Sequence, residues 1–393
     1  MVDKKEVKLG MVGAGYAAQL HCNGYARVSG VDVKLHTICD SDEKRGLSIK
    51  EKYGFEYWQS DFDEMLKNPE IDIVDICTPP MIHKAMIIKS LKAGKNVFCE
   101  KPLLGYFGQP GDEIPIGKTV SKEKMYQFVL TELDELKEAV ETSGKYLAYA
   151  ENYVYAPSVQ KSLEIMQAKK SRILFMKGEE SLRGSSSALA GEWSGTGGGS
   201  LIRVGCHPLG GILYLKQAEA KYRGANIKME SIIADMGQIT LHLKEEEKSY
   251  HTIRSNDVED FANLTITFTD GSKAVILASD VVLGGTKNYV EIYANNGTFM
   301  CNLTPTDSLN VYMMDDVGME GISFSEMLPS ARGWNKAFVA DEILRGYTDE
   351  LKDFVESVAY NKEPLSNFQV AYDTTKAMYA AYWSAETGKK IMF

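Results

Sequence analysis

Residues 7–18 read VKLGMVGAGYAA, a short apolar run closed by Gly13, Gly15 and Ala18 in GxGxxA order, and a helical stretch follows through Arg27. A strand that delivers two glycines to the first turn of a helix lets the backbone turn tightly and approach a pyrophosphate, whose charge the helix N-terminus then holds. Gly13, Ala14, Gly15, Tyr16, Ala17 and Ala18 are therefore the expected phosphate turn. A second apolar run, 33–39, ends in Asp40, 22 residues after Ala18. A carboxylate there accepts hydrogen bonds from the adenosine ribose hydroxyls and repels a 2′-phosphate, so NAD is expected over NADP. Arg45 is the residue that could still pair with such a phosphate.

The alternation continues with an apolar run at 71–77, a helix at 83–93, a strand at 96–99, a strongly periodic helix at 122–142 and a strand at 146–150. Strands separated by helices imply a doubly wound parallel α/β sheet with right-handed crossovers, whose ligands lie at the carboxyl edge of the strands. On that edge, CTPPMIH (77–83) offers Thr78 and Pro79 as a rigid turn to support ribose and nicotinamide, with His83 either a contact or a helix-start residue. KNVFCEKPLLG (95–105) places Glu100 and Lys101 at the end of the next strand, and Pro102 biases Lys101 away from helical angles. A partly desolvated ammonium beside the nicotinamide has its pKa pushed down, and it can donate a hydrogen bond to the substrate oxygen at the reacting carbon. Residues 105–121, GYFGQPGDEIPIGKTVS, are dense in Gly and Pro and too irregular for a helix; an inserted loop is expected, as lid, oligomer contact or plain surface excursion.

Beyond 151 the pattern becomes antiparallel. Asp270-Gly271 and Asn296-Gly297 each divide a pair of alternating strands and read as hairpin turns. Two domains are expected: 1–150, a Rossmann-type domain, and 151–393, an α+β domain with an open, mostly antiparallel sheet. The last helix, about 367–387, could return to the first domain. An open sheet needs cover from helices or another subunit, so a homo-oligomer, dimer or tetramer, is expected.

The 393 residues carry a net charge of -10, and no stretch gathers Lys and Arg on one face, which argues against nucleic acid and anionic membrane as partners. No segment approaches the roughly 20 apolar residues of a membrane span. The amino terminus enters a strand without a signal peptide, so a cytoplasmic protein is expected. Six cysteines are scattered without CxxC spacing, and they read as reduced core residues, with no metal expected.

Taken together, GAGYAA, the strand end at Asp40, CTPPMIH, VFCEKP, GGGSLIRVGCHPLGG and the closing WSAETGKK resemble the Gfo/Idh/MocA family, the glucose-fructose oxidoreductase and inositol dehydrogenase group. The resemblance implies a Rossmann domain followed by an open antiparallel sheet, with Lys101 as the active-site lysine. It also implies an Asp-x-x-x-His pair after a triple-glycine loop, the histidine being the usual proton acceptor. Here Gly197, Gly198 and Gly199 precede Arg203 and His207, so the histidine is kept and an arginine stands where the family has aspartate.

His207, an imidazole with an ordinary pKa of about 6.5, is suited to taking a hydroxyl proton, or it is a satisfied core histidine. Arg203 could share a face with His207 if the segment is helical, although Gly205 and Pro208 favour a kink or break. Its guanidinium would bind sugar hydroxyls or a substrate carboxylate, or turn away into a salt bridge. By family analogy Glu151, Asn152, Tyr153 and Tyr155 face the substrate, where polar and aromatic groups suit a polyhydroxylated ring. Trp193 could stack on a sugar, shield the nicotinamide or simply pack the loop.

The reading is thus a nicotinamide-dependent oxidoreductase that converts a secondary alcohol of a carbohydrate, polyol or glycoside to a ketone, or runs the reverse. Two alternatives share the scaffold. One is a glycoside-cleaving enzyme that keeps and recycles NAD through transient C3 oxidation; the other, a binding protein that senses NAD, leaves both Lys101 and His207 without a role.

Overall fold

The computed structural model describes residues 4–304, 309–320, 322, 330 and 332–393. From the amino terminus run β1 (Glu6–Val12), α1 (Tyr16–Tyr25), β2 (Asp32–Cys39), α2 (Glu43–Tyr53), β3 (Tyr57–Gln59), α3 (Phe62–Lys67), β4 (Ile73–Ile76), α4 (His83–Lys92) and β5 (Asn96–Cys99). Then come a single turn α5 (Ile116–Thr119), the long α6 (Lys122–Ser143) and β6 (Leu147–Tyr149). The chain continues through α7 (Pro157–Ala168), β7 (Ile173–Ser181), α8 (Trp193–Thr196), α9 (Cys206–Arg223), β8 (Met229–Gly237), β9 (Phe261–Phe268), β10 (Lys273–Ser279), β11 (Lys287–Ala294) and β12 (Gly297–Asn302). A small hairpin, β13 (Asn310–Met313) and β14 (Gly333–Lys336), precedes α10 (Asp341–Leu344), α11 (Tyr347–Tyr360), α12 (Phe368–Thr387) and β15 (Ile391–Met392).

Two compact units result. The first comprises 1–105, 127–155 and 346–375; the second comprises 106–126, 156–345 and 376–393. In the first, six parallel strands lie in the order β3-β2-β1-β4-β5-β6, that of a doubly wound nucleotide-binding sheet. Leu9, Met11, Ile38, Ile73 and Phe98 of the strands close a dry core with Ala18 and Cys22 of α1 and with Leu351, Phe354 and Val355 of α11. Gly24 lets α1 and α11 approach, for a Cβ there would lie 2.3 Å from Leu351 Cδ1.

The second unit holds a seven-stranded sheet, β12-β11-β7-β10-β9-β8-β15. All its pairs are antiparallel except β7 with β10. Helix α9 lies on this sheet at Gly178 of β7, where an added Cβ would meet Pro208 at 2.8 Å and Ile212 at 3.1 Å.

The 105–121 segment departs from the expected irregular excursion. It contains the turn α5, and it is tied into its own unit: Tyr106 N donates to Tyr379 Oη at 2.7 Å, and Gly117 N donates to Asp257 Oδ2 at 2.9 Å. Asp112 accepts from Tyr106 Oη and lies 2.7 Å from Lys124 Nζ, and these partners hold its carboxyl at a pKa of about 2. None of the six cysteines is in a disulfide, and all are buried. Among the described residues no helix is long and apolar enough to cross a membrane.

Candidate active site

The carboxyl ends of β1, β2, β4 and β5 bring four of the expected groups to one edge of the first unit. Gly13 leaves β1 at φ +92, its N–H donating to Cys39 O at 2.8 Å, and an added Cβ would meet Cys77 O at 2.6 Å. Only glycine fits that position. Gly15 is the N-cap of α1, and a Cβ on it would have no atom within 4 Å. Glycine is there for the open space over the helix N-terminus, which is the room a pyrophosphate needs. Ala14 and Ala18 are buried under the turn, whereas Tyr16 stands out from it. The residues present therefore fit a dinucleotide.

Asp40, at the end of β2, is buried and folded back onto the turn. Its Oδ2 accepts from Ala14 N at 2.7 Å, and Oδ1 accepts from Asp42 N at 2.8 Å and from Arg45 Nη2 at 3.0 Å. Arg45 is exposed and spends its charge on Asp40 in this arrangement. After β4, Thr78 is half-buried and Pro79 exposed at the same edge. Of the two readings of His83 the helix-start one holds: it opens α4, fully buried, with Nε2 2.8 Å from Thr78 O and Nδ1 3.0 Å from Pro102 O. Burial pushes its pKa down while the two carbonyls oppose the fall, and the ring lies between the loop after β4 and the loop after β5. Glu100 and Lys101 follow β5, both part-buried, with Glu100 Oε2 accepting from Lys101 N at 2.9 Å.

Glu151, Asn152 and Tyr153 enter a short 3-10 turn after β6 and are buried, with Glu151 Oε1 accepting from Tyr153 N at 3.2 Å. Tyr155 is not a substrate group. Its hydroxyl donates to Asp353 Oδ2 at 3.0 Å and accepts from Ser366 N at 2.9 Å, fixing the returning segment after α11.

In the second unit, Gly197 (φ +76) and Gly198 (φ +153) open a loop wound around the buried carboxylate of Glu259. Gly199 N and Leu201 N donate to it at 2.9 and 2.8 Å, and Tyr382 Oη donates at 2.9 Å. A Cβ on Gly199 would fall 1.9 Å from Glu259 O. Burial raises the Glu259 pKa even though these donors oppose the rise. The chain then makes one wide π-helical turn, Leu201–Gly205, and passes into α9 without the expected break. His207, 5% exposed, lies in the first turn of α9. Arg203 takes the salt-bridge alternative: it pairs with Asp280, a carboxylate fully buried just past β10. Trp193, 2% exposed, donates Nε1–H to Tyr106 O at 3.0 Å and meets Tyr382 edge-on, so it packs the loop and has no face for a sugar.

Sequence reading passed over Asp280, Glu259, His21 and Asp75. Asp75 alone announced itself, as one charge inside the apolar strand IVDI.

Residues 7–108 match the model of an oxidoreductase family with an NAD-binding Rossmann fold. This segment belongs to the Gfo/Idh/MocA oxidoreductase family. The chain is thus an oxidoreductase. Over 361 residues it is 23% identical to the uncharacterized oxidoreductase YrbE of Bacillus subtilis, covering 91% of this chain and 88% of that protein. A myo-inositol 2-dehydrogenase of Thermotoga maritima is 34% identical over 97 residues, a quarter (25%) of this chain and 28% of that enzyme. Among solved structures, GenD2 from gentamicin A biosynthesis in complex with NAD superposes with a TM-score of 0.77 at 21% identity, covering 99% of this chain and 97% of that one. That likeness extends the shared fold over both units.

Proposed function

We propose that the protein is an NAD-dependent dehydrogenase that oxidises a secondary alcohol of a sugar, polyol or glycoside to a ketone, and that it works as a homo-oligomer. Residues 1–150 carry the cofactor and 151–393 the substrate groups in this reading. The observation that carries it is the convergence of Gly13, Gly15, Asp40, Thr78 and Lys101 on one sheet edge, with room over the turn and a carboxylate where a ribose would lie. NAD is favoured over NADP because Asp40 repels a 2′-phosphate and holds Arg45 on itself.

The turn from Gly13 to Ala18 would hold the pyrophosphate, Asp40 the adenosine ribose, and Thr78 and Pro79 the nicotinamide end. NAD, when bound, supplies the hydride acceptor. Lys101 donates a hydrogen bond to the substrate hydroxyl oxygen and orients the carbinol carbon. His207 takes the hydroxyl proton as the carbon–hydrogen bond breaks, which leaves the carbonyl neutral. Much of the rate enhancement comes from this orientation.

The test is appearance of NADH absorbance with sugars, inositols, sugar acids and glucosides, with NAD and NADP compared at equal concentration. Lys101→Ala is expected to lower kcat by about 100-fold or more while leaving NAD affinity within about threefold. An unchanged rate removes the lysine from the mechanism. Aglycone release with no net NADH would instead favour the cofactor-recycling reaction.

A further inference from the structure

Behind the Lys101 segment lies a set of ionisable groups that the steps above do not use. His21 of α1 is 2% exposed and has a carboxylate at each ring nitrogen. Its Nδ1 is 2.9 Å from Asp75 Oδ2 and 3.0 Å from Oδ1, while Nε2 is 3.2 Å from Glu100 Oε1. Asp75, fully buried in β4, also accepts from Tyr25 Oη at 3.0 Å. The ring lies on Phe98 with centroids 5.1 Å apart. Glu100 then passes the contact on, since its other oxygen accepts the Lys101 peptide N–H at 2.9 Å.

A ring nitrogen at hydrogen-bond distance from an anionic oxygen must carry a hydrogen, because its bare lone pair would repel the oxygen. Both nitrogens of His21 face carboxylates, so both are protonated and the ring is an imidazolium between two anions. Such an arrangement is held together only while all three members are present. Burial works against the charged ring, yet Asp75 raises its pKa well above the ordinary value. Burial likewise opposes ionisation of Glu100, and His21 and Lys101 together hold it below the ordinary range.

The other groups facing the cluster are neutral. Cys77, its Sγ 3.4 Å from Nδ1, and Cys99 of β5 have thiol pKa values pushed far up by burial, and Cys22 of α1 is pushed up to about 12. Tyr25 is shifted upward for the same reason, and Glu350 of α11 is pushed well above the carboxylate range and stays protonated.

We propose that His21 is a positioning residue for the dehydrogenase step: bound to Asp75, it fixes the Glu100 carboxylate, and Glu100 fixes the peptide from which the Lys101 side chain springs. Without the imidazolium, Glu100 is free to swing onto the Lys101 ammonium and pair with it, drawing the ammonium from the substrate oxygen. The inference rests on the role given to Lys101 above.

Two readouts test it. Nitrogen NMR of the histidine rings is expected to show His21 doubly protonated at about pH 8, well above the ordinary value of about 6.5. Asp75→Asn should return it to a neutral ring. In kinetics, His21→Asn should lower kcat about tenfold or more, with NADH affinity by fluorescence within about twofold. Asp75→Asn should follow it, giving a second variant if His21→Asn does not fold. A neutral His21 in the wild-type protein at that pH, or a folded His21→Asn with unchanged kcat, overturns the proposal. If the wild-type protein oxidises no compound of the panel, the dehydrogenase reading fails and the positioning role fails with it. Ring protonation then still reports on the clamp by itself.

Discussion

Arg203 shows what a single residue can hide. Its guanidinium pairs with a carboxylate that reaches it from 77 residues along the chain, and neither sequence neighbourhood signals the other. With the arginine removed, Asp280 is left fully buried and without its cation. Arg203→Ala is therefore expected to cost about 3–5 kcal/mol of stability, read by urea unfolding. The double change Arg203→Ala/Asp280→Ala should recover much of that loss. If the single variant unfolds like the wild type, the pair contributes nothing and the arginine becomes available to substrate again. Tyr155 and Trp193 were hidden in the same way. Family analogy turns Tyr155 toward the substrate, and Trp193 reads equally as a stacking, shielding or loop-packing ring, but the hydroxyl and the indole N–H are engaged by Asp353, Ser366 and the Tyr106 carbonyl, which no local pattern reveals.

At the scale of elements, the strands and helices around the GxGxxA turn were legible because period and punctuation agree: apolar runs, glycines at the turns, Asp40 at a strand end. The hairpin turns were legible for the same reason, through Asp270-Gly271 and Asn296-Gly297. The segment from Ser200 to Pro208 was not. Gly205 and Pro208 suggest a break, but the wide π turn Leu201–Gly205 runs straight into α9 and absorbs the offset that Pro208 imposes.

Helix α11 carries a cost of its own in Glu350, whose carboxyl is buried and protonated in the fold and ionised in the unfolded chain at neutral pH. A raised acid pKa makes the folded state bind the extra proton. Stability is therefore lost as pH rises above about 4.3, the unfolded value, and continues to fall toward the folded one. Glu350→Gln should accordingly raise the melting temperature more at about pH 8 than at about pH 5. An equal gain at both pH values would mean that the carboxyl is ionised in the fold.

For the whole molecule, the seven-stranded sheet has α9 on one side only of β7. On the other side Lys177 stands in register with Val275, Thr265 and Ile233 in one direction and with Glu291 and Met300 in the other. Ile233 is 43% and Met300 67% exposed on this face, a surface suited to pairing with a second copy. Sedimentation equilibrium should give a multiple of the 43.7 kDa chain mass, and Ile233→Asp should shift it toward one chain. A wild-type protein at single-chain mass would remove the oligomer from the reading. The glycine loop around Glu259 bears on engineering as well. Positions 197–199 lie beside His207 in sequence and invite randomisation by anyone seeking new substrates. Two of them have backbone angles that side chains rarely adopt, and the third has a carbonyl oxygen where its Cβ would go. Libraries there would be spent on misfolded protein, and diversity is better placed on residues that can change without unwinding that carboxylate.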